Sequence, residues 1–295
     1  MRNRKENFQA FLLILPSFLA ILVFVYGFIG WTVRVSFSQW KGLLPDYTFV
    51  GFKNYIGLFS DERFQVDIRN TLIFTVVFVA GSLIIGLFLA ILLDQGLRGE
   101  GIFRSVFLFP MAISYIVTGV VWRWLMNPAA GTRISGINLL FQDMGLDFLI
   151  SQWHGTPYWG IAFIAIPAIW QMSGYTMALY LVGLRGVPDE LREAARVDGA
   201  NEFQIYRQII MPILRPVTLS AMIILGHMSL KVFDLIIAIV GKQLALDVPS
   251  IYMWQTTFDG YFFGRGGAIG IMLLISVAVL IIPYLVYSLR SEADV

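Results

Sequence analysis

Six apolar runs, each long enough to cross a bilayer, constrain this chain more than any other feature of its sequence. A helix needs about 20 predominantly apolar residues to span the roughly 30 Å of hydrocarbon in a membrane. The predicted spans lie near residues 8–34, 70–93, 103–126, 158–183, 216–241 and 265–288. Because helices satisfy their own backbone polar groups inside a bilayer, the sequence predicts an all-α membrane protein with six transmembrane helices.

The composition agrees with this class and excludes others. Only 14% of the residues are charged, against about 25% in soluble domains. A net charge of +2 provides no basic surface for nucleic acid, and a chain with no cysteine and two separate histidines offers no disulfide framework and no multi-histidine metal site. No linker divides the spans, so we expect residues 1–295 to form a single membrane domain.

The loops carry an asymmetric distribution of Lys and Arg. If the N-terminus lies in the cytoplasm, the cytoplasmic loops are shorter than the external loops and carry Lys and Arg at a higher density. The first span is too long for a signal peptide, and no small-residue cleavage site follows it. We therefore expect a multi-pass protein of the cell (inner) membrane with both termini in the cytoplasm.

A charged segment, residues 185–215, separates the fourth and fifth spans on the inner side. Pro188 suits the first position of a helix, and Gly199 suits the left-handed residue that ends one. Asn201 and Gln204 have the spacing of a capping box for a second helix. The segment therefore predicts a helical hairpin on the inner face of the membrane.

The first helix of this hairpin has a surface suited to a protein partner. Ala194 and Ala195 would let another backbone approach closely, and Glu193 would offer that partner an oriented charge. An amphipathic linker that rests on lipid headgroups is the alternative, and spacing alone leaves both open.

The hairpin also carries a recognisable motif. The pattern Glu193-Ala194-Ala195, three residues, Gly199, nine residues, Ile209, one residue, Met211-Pro212 resembles the EAA loop of permease subunits in binding-protein-dependent ABC importers. The family usually has Leu where this chain has Met211. The segments "FRSVFLFPMAIS" (103–114) and "SLKVFDLI" (229–236) are similar to the carbohydrate class of these permeases, which includes the maltose and glycerol-phosphate importers.

The resemblance implies a type I importer fold and a set of partners. It assigns the contact with a separate ATPase subunit to Glu193, Ala194, Ala195, Gly199 and Pro212. The chain itself has no phosphate-binding loop of the G-x-x-x-x-G-K-[ST] type, so ATP and Mg are expected on the ATPase, and this subunit is expected to be non-catalytic. The other implied partners are a second, non-identical permease, a second ATPase subunit and an extracytoplasmic solute-binding protein.

Ionisable groups at membrane depth mark the remaining candidate site. Lys231 and Asp234 are three residues apart and are predicted to share a helix face, with His227 one turn earlier. They form either a structural pair or the polar wall of a solute path, to which Trp170 and Gln171 could add an aromatic ring and an amide. Such a mixture suits a sugar.

Two questions stay open at this point. The segment "DVPSIYMWQTTF" (247–258) is similar to permeases for glucose and mannose, and an α-glucoside or a glycerol-phosphate is an equal candidate substrate. A secondary transporter or a membrane-embedded enzyme is the alternative function. The chain lacks the internal repeats of many secondary transporters and the clustered catalytic groups of an enzyme.

Overall fold

The computed structural model describes the backbone of residues 4–293 and the side chains of residues 11–286. This part of the chain contains α-helices with short 3₁₀ and π segments and no β-strand, which confirms the predicted all-α fold class. The α-helices are α1 Arg4–Ile21, α2 Phe28–Ser36, α3 Lys53–Phe59, α4 Glu62–Asp94, α5 Glu100–Leu108, α6 Tyr115–Leu125, α7 Gly136–Asp143, α8 Gly160–Arg185, α9 Asp189–Val197, α10 Glu202–Ile205, α11 Met211–Ile213, α12 Arg215–Leu230, α13 Asp234–Val240, α14 Pro249–Trp254 and α15 Phe263–Ala293.

Four helical stretches of the described chain are long and apolar enough to cross a membrane without a break. They are Phe11–Ser36, Glu62–Asp94, Gly160–Arg185 and Phe263–Val286. Each coincides with one of the predicted spans, and α4 extends several residues beyond its predicted span at the N-terminal end. Two bent helix pairs are also apolar enough to cross a membrane. If each pair is one span, the described chain has six spans.

The third predicted span is the first of these bent pairs. Glu100–Ala112 and Tyr115–Leu125 meet at 97°, so the predicted span 103–126 holds two helices instead of one. Pro110 lies in the 3₁₀ turn where the first helix stops. Ser114 then caps α6, because its hydroxyl accepts a hydrogen bond from the Ile116 amide at 3.3 Å.

The second bent pair joins the hairpin to the fifth predicted span. Glu202–Ile213 and Arg215–Leu230 meet at 65°. The helix of this span also stops at Leu230 and resumes as α13, whereas the sequence predicted one run over 216–241.

The backbone divides into two compact units. One contains the chain up to Phe64 together with Tyr252–Ile275. Polar groups of this unit converge on Asp61, whose carboxylate accepts hydrogen bonds from the Tyr252 hydroxyl at 2.7 Å and the Arg63 amide at 2.9 Å and pairs with Arg265. Burial raises the pKa of Asp61, but these hydrogen bonds and the charge of Arg265 together hold that pKa below its usual value.

The other unit contains Gln65–Ile251 and the chain from Ser276 onwards. Helices α4 and α8 pack closely here because Gly86 faces Thr176, where any side chain would overlap the threonine. The Thr176 hydroxyl is hydrogen-bonded to the Ser82 carbonyl at 2.8 Å. The unit has two apolar cores: one surrounds the middle of α8, and the other joins the end of α8 to the hairpin.

Candidate functional site

The fifth predicted span breaks at the residues that carry its charges. Helix α12 ends before Lys231 and α13 begins at Asp234, so these two side chains do not share one helix face, contrary to the prediction. The amide of Lys231 donates to the Met228 carbonyl at 3.3 Å, and the Val232 carbonyl accepts from the Ser250 hydroxyl at 2.5 Å. These backbone groups at the break are thereby satisfied within the protein, as a bilayer requires.

A cavity of about 170 Å³ opens at this break. Lys231 and Asp234 lie on its wall and are both exposed, and no ion pair joins them in the described part of the chain. Aromatic rings complete the wall, and those of Phe74 and Phe78 stack with their centroids 5.6 Å apart. The cavity is lined by Phe74, Phe78, Tyr115, Ala168, Met228, Lys231, Val232, Phe233, Asp234 and Leu235.

The other three residues predicted for the solute path lie elsewhere. Gln171 is 2% exposed, and its amide nitrogen donates to the Ile113 carbonyl at 2.5 Å, which stabilises the break in the third span. Trp170 packs against Trp122 with the ring centroids 6.0 Å apart. His227 is half-buried and does not line the cavity. Of the five residues predicted for the solute path, Lys231 and Asp234 therefore line the cavity, and the other three do not.

The aromatic part of this wall was not predicted from the sequence. Phe74 and Phe78 are four residues apart on α4, a spacing that places both on one helix face. That spacing was visible in the sequence. Tyr115 joins them only because the third span bends, which no local pattern indicated.

The hairpin forms much as predicted. Gly199 has a φ of +83° and follows α9 in the left-handed conformation, which confirms that it ends the first helix of the hairpin. Asn201 and Gln204 form the predicted capping box, with hydrogen bonds of 2.9 Å and 2.8 Å between each side chain and the other residue's amide. Pro188 is the N-cap residue of α9 and not its first helical residue.

A half-buried arginine holds the hairpin against the spans. Arg192 pairs with Asp94 at 3.0 Å and also donates to the Leu184 carbonyl at 3.2 Å. Both charged side chains are largely withdrawn from solvent, so the geometry of this pair matters more than that of a surface pair.

The two alanines of the motif have different environments. Ala195 is 8% exposed and packs in the apolar core that joins the hairpin to α8, whereas the sequence predicted an exposed alanine. Glu193 and Ala194, by contrast, are exposed on α9. Pro212 lies apart from them, in a cleft beside α12. Two large apolar side chains of the hairpin, Val197 and Phe203, are also exposed, at 87% and 71%.

Comparison with known proteins gives one family. Residues 82–291 match the family described as binding-protein-dependent transport system inner membrane component. A probable ABC transporter permease protein of Pyrococcus horikoshii is 40% identical over 294 residues, which cover 99% of each chain. The xylose/arabinose import permease protein XacH of Haloferax volcanii is 36% identical over 278 residues, 93% of this chain and 86% of that relative.

Solved structures give the same fold. A bacterial ABC transporter involved in the import of the acidic polysaccharide alginate matches with a TM-score of 0.80 at 22% identity and covers 97% of this chain and 96% of that one. The alginate transporter in complex with an alginate pentasaccharide-bound periplasmic protein matches with a TM-score of 0.78, also at 22% identity, over 94% and 93% of the two chains. These matches confirm the predicted importer fold.

The predicted resemblance is thereby confirmed, including its carbohydrate class. The relatives are permeases, which are non-catalytic membrane subunits, and the comparisons favour neither a secondary transporter nor a membrane enzyme. The chain therefore belongs to the family of inner membrane components of binding-protein-dependent transport systems, as a permease subunit of an ABC importer.

Proposed function

We propose that this chain forms one half of the translocation path of an ATP-driven carbohydrate importer. The cavity at the break of the fifth span is the observation that carries the proposal, because the broken helix places Lys231 and Asp234 beside a wall of aromatic rings. Broken helices at substrate sites are a recurring feature of membrane transporters, since the chain there can expose polar groups without facing lipid.

The cavity suits the chemistry of a sugar. A sugar has an apolar ring face that packs on aromatic side chains and hydroxyls that both donate and accept hydrogen bonds. Phe74, Phe78 and Tyr115 supply the rings, Lys231 donates, and Asp234 accepts. A cavity of about 170 Å³ in one chain is smaller than a typical ligand pocket of about 300–1,000 Å³, which is consistent with a path completed by a second permease.

We assign the hairpin to the ATPase. Glu193 and Ala194 on α9, with Val197 beyond them, present an exposed surface, and Gly199 turns the chain into the second helix. The half-buried pair of Arg192 and Asp94 would transmit a movement of α9 to the spans. Two ATPase subunits would hold ATP and Mg, and a solute-binding protein would deliver the sugar from outside.

The chain lies in the cell (inner) membrane with both termini in the cytoplasm under this proposal. The loop charge supports this orientation. The terminal residues 1–3 and 294–295 themselves lie outside the described part of the chain.

For the substrate we propose glucose or mannose, or an α-glucoside. A relative named for xylose and arabinose import supports a small neutral sugar. The purified cognate solute-binding protein, titrated with each of these sugars by calorimetry, would decide between them. Micromolar binding of a sugar from this set is expected, and binding of none of them would remove this substrate assignment.

Uptake into proteoliposomes tests the proposed function as a whole. The vesicles would contain the permease pair and its ATPases, with the loaded binding protein outside and ATP with Mg accessible to the ATPases. We expect uptake of labelled sugar only with hydrolysable ATP and no effect of a protonophore. Uptake without ATP that a protonophore abolishes would instead indicate a secondary transporter.

A further inference from the structure

A second cleft lies in the elbow between the hairpin and the fifth span. Its volume is about 360 Å³, and it is lined by Arg207, Met211, Pro212, Arg215, Thr218 and Leu219. The lining thus contains two arginines and no acidic residue. Neither Arg207 nor Arg215 makes an ion pair in the part of the chain that the structure describes, and both are exposed.

The geometry of the elbow places this cleft at a membrane surface. Glu202–Ile213 meets Arg215–Leu230 at 65°, so when the second helix crosses the bilayer the first lies much nearer its plane. The two arginines lie on opposite arms of the elbow, eight residues apart. A headgroup in the corner would therefore meet a guanidinium from each side.

The cleft also continues into an apolar surface. Arg215, Leu219 and Met222 are four and then three residues apart, so they share one face of α12, and Met222 is 43% exposed. Met211 supplies further apolar surface from the other arm. A ligand with an anionic head and an aliphatic chain would match the cleft and this face together.

We propose that the elbow binds the phosphate of an anionic phospholipid headgroup, with Arg207 and Arg215 as its two ligands and the acyl chain along Leu219 and Met222. Arginine is suited to this role because its planar guanidinium can bind a phosphate with two parallel hydrogen bonds. The proposal rests on the chain spanning a membrane, and not on the proposed sugar or on the assigned ATPase contact.

Native mass spectrometry of the purified importer tests this inference. The complex would be titrated in a neutral detergent with short-chain phosphatidylglycerol, with short-chain phosphatidylcholine and with inorganic phosphate. We expect saturable binding of phosphatidylglycerol and much weaker binding of the other two. Since each arginine near an anionic surface contributes about 1 kcal/mol, Arg207→Gln with Arg215→Gln should weaken phosphatidylglycerol binding about thirty-fold.

Two further variants keep the test decisive. Arg98→Gln with Arg133→Gln removes two exposed arginines away from the elbow and should leave phosphatidylglycerol binding unchanged. Arg207→Lys with Arg215→Lys keeps the charges but loses the paired hydrogen bonds, so it should bind phosphatidylglycerol more weakly than the wild type and more tightly than the Gln variant.

Three results would overturn the proposal. One is equal phosphatidylglycerol binding by the wild type and the folded Gln variant. Another is equal competition by inorganic phosphate, which would indicate an anion site without a lipid. The third is loss of the ATPase subunits from the Gln variant with unchanged lipid binding, because the arginines would then contact an acidic surface of the ATPase.

Discussion

At the scale of single residues, the structure gives Gly199 a conformation that other residues rarely adopt. Its φ of +83° costs a β-branched side chain about 1–2 kcal/mol, and no neighbouring atom would otherwise obstruct a side chain there. Gly199→Val should therefore distort the hairpin and reduce the ATPase retained on purification. Gly57→Val, at a glycine with open space and no positive φ, is the control and should retain it. Full retention by the Gly199 variant would contradict the role of this turn.

Glu193 is tested by charge reversal. It is exposed on α9, so Glu193→Lys leaves the core intact while it reverses the charge offered to the ATPase. We expect weaker association and slower ATP-dependent uptake. Asp143→Lys reverses an exposed charge on α7 and should change neither. If the Glu193 variant kept its ATPases and full uptake, the charge of Glu193 would have no part in coupling.

Asp61 gives a prediction about stability and pH. Its folded pKa lies below the ordinary value of 3.8, so its contribution to stability is present at neutral pH and is lost as the pH falls through the folded pKa. Asp61→Asn should cost about 2 kcal/mol at pH 7, the order of a hydrogen bond to a charged group, and the difference from wild type should shrink below about pH 4. Thermal unfolding in detergent at several pH values measures this. A difference that does not depend on pH would contradict the assignment.

The conformation of a residue was predictable from the sequence where it depends on neighbours close in the chain. The capping box of Asn201 and Gln204 and the turn at Gly199 depend on neighbours a few residues away, and both form as predicted. Ala195 was assigned to a partner surface, but it is buried within its own chain. That difference arises from packing against α8, which is distant in sequence.

At the scale of elements, apolar length predicted where the helices lie but not where they break. Hydropathy reports which solvent a segment prefers, and a bent helix buried in a bundle is as apolar as a straight one. Pro110 and Ser114 were signals for the break in the third span. The charges at Lys231 and Asp234 were interpreted as one helix face, and they instead lie where the helix of the fifth span breaks between Leu230 and Asp234.

The packing of two broken helices can be tested through one glycine. Helix α6 packs against α13 at Gly119, where any side chain would meet Ala238 and the Leu235 carbonyl. Gly119→Leu should destabilise the protein by about 1–3 kcal/mol or more, because the backbones would have to move apart. Gly30→Leu, at a position with open space, is the control. Equal melting temperatures of the two variants would contradict this packing.

At the scale of the whole molecule, the proposed orientation makes a direct prediction. Reporter domains fused after Arg2 and after Val295 should both be active in the cytoplasm, because the positive loops lie on that side. Both fusions keep all six proposed spans. An extracytoplasmic signal from either fusion would reverse the placement of the hairpin and remove its contact with a cytoplasmic ATPase.

The cavity at the broken fifth span is proposed to be part of the solute path. Lys231→Met with Asp234→Leu removes both charges from the cavity wall and preserves much of the side-chain volume. Because both side chains are exposed and unpaired with each other, the change should leave the fold intact. Lys53→Met with Asp143→Leu makes the same chemical change at two exposed positions outside the cavity.

The decisive measurement is sugar uptake by the assembled importer, taken together with its ATPase activity stimulated by the binding protein. We expect the Lys231/Asp234 variant to lose uptake by about tenfold or more, because the solute loses hydrogen bonds to charged groups, while the complex stays assembled and hydrolyses ATP. The control variant should transport normally. Normal uptake by the cavity variant at normal expression would contradict the claim that Lys231 and Asp234 face the solute.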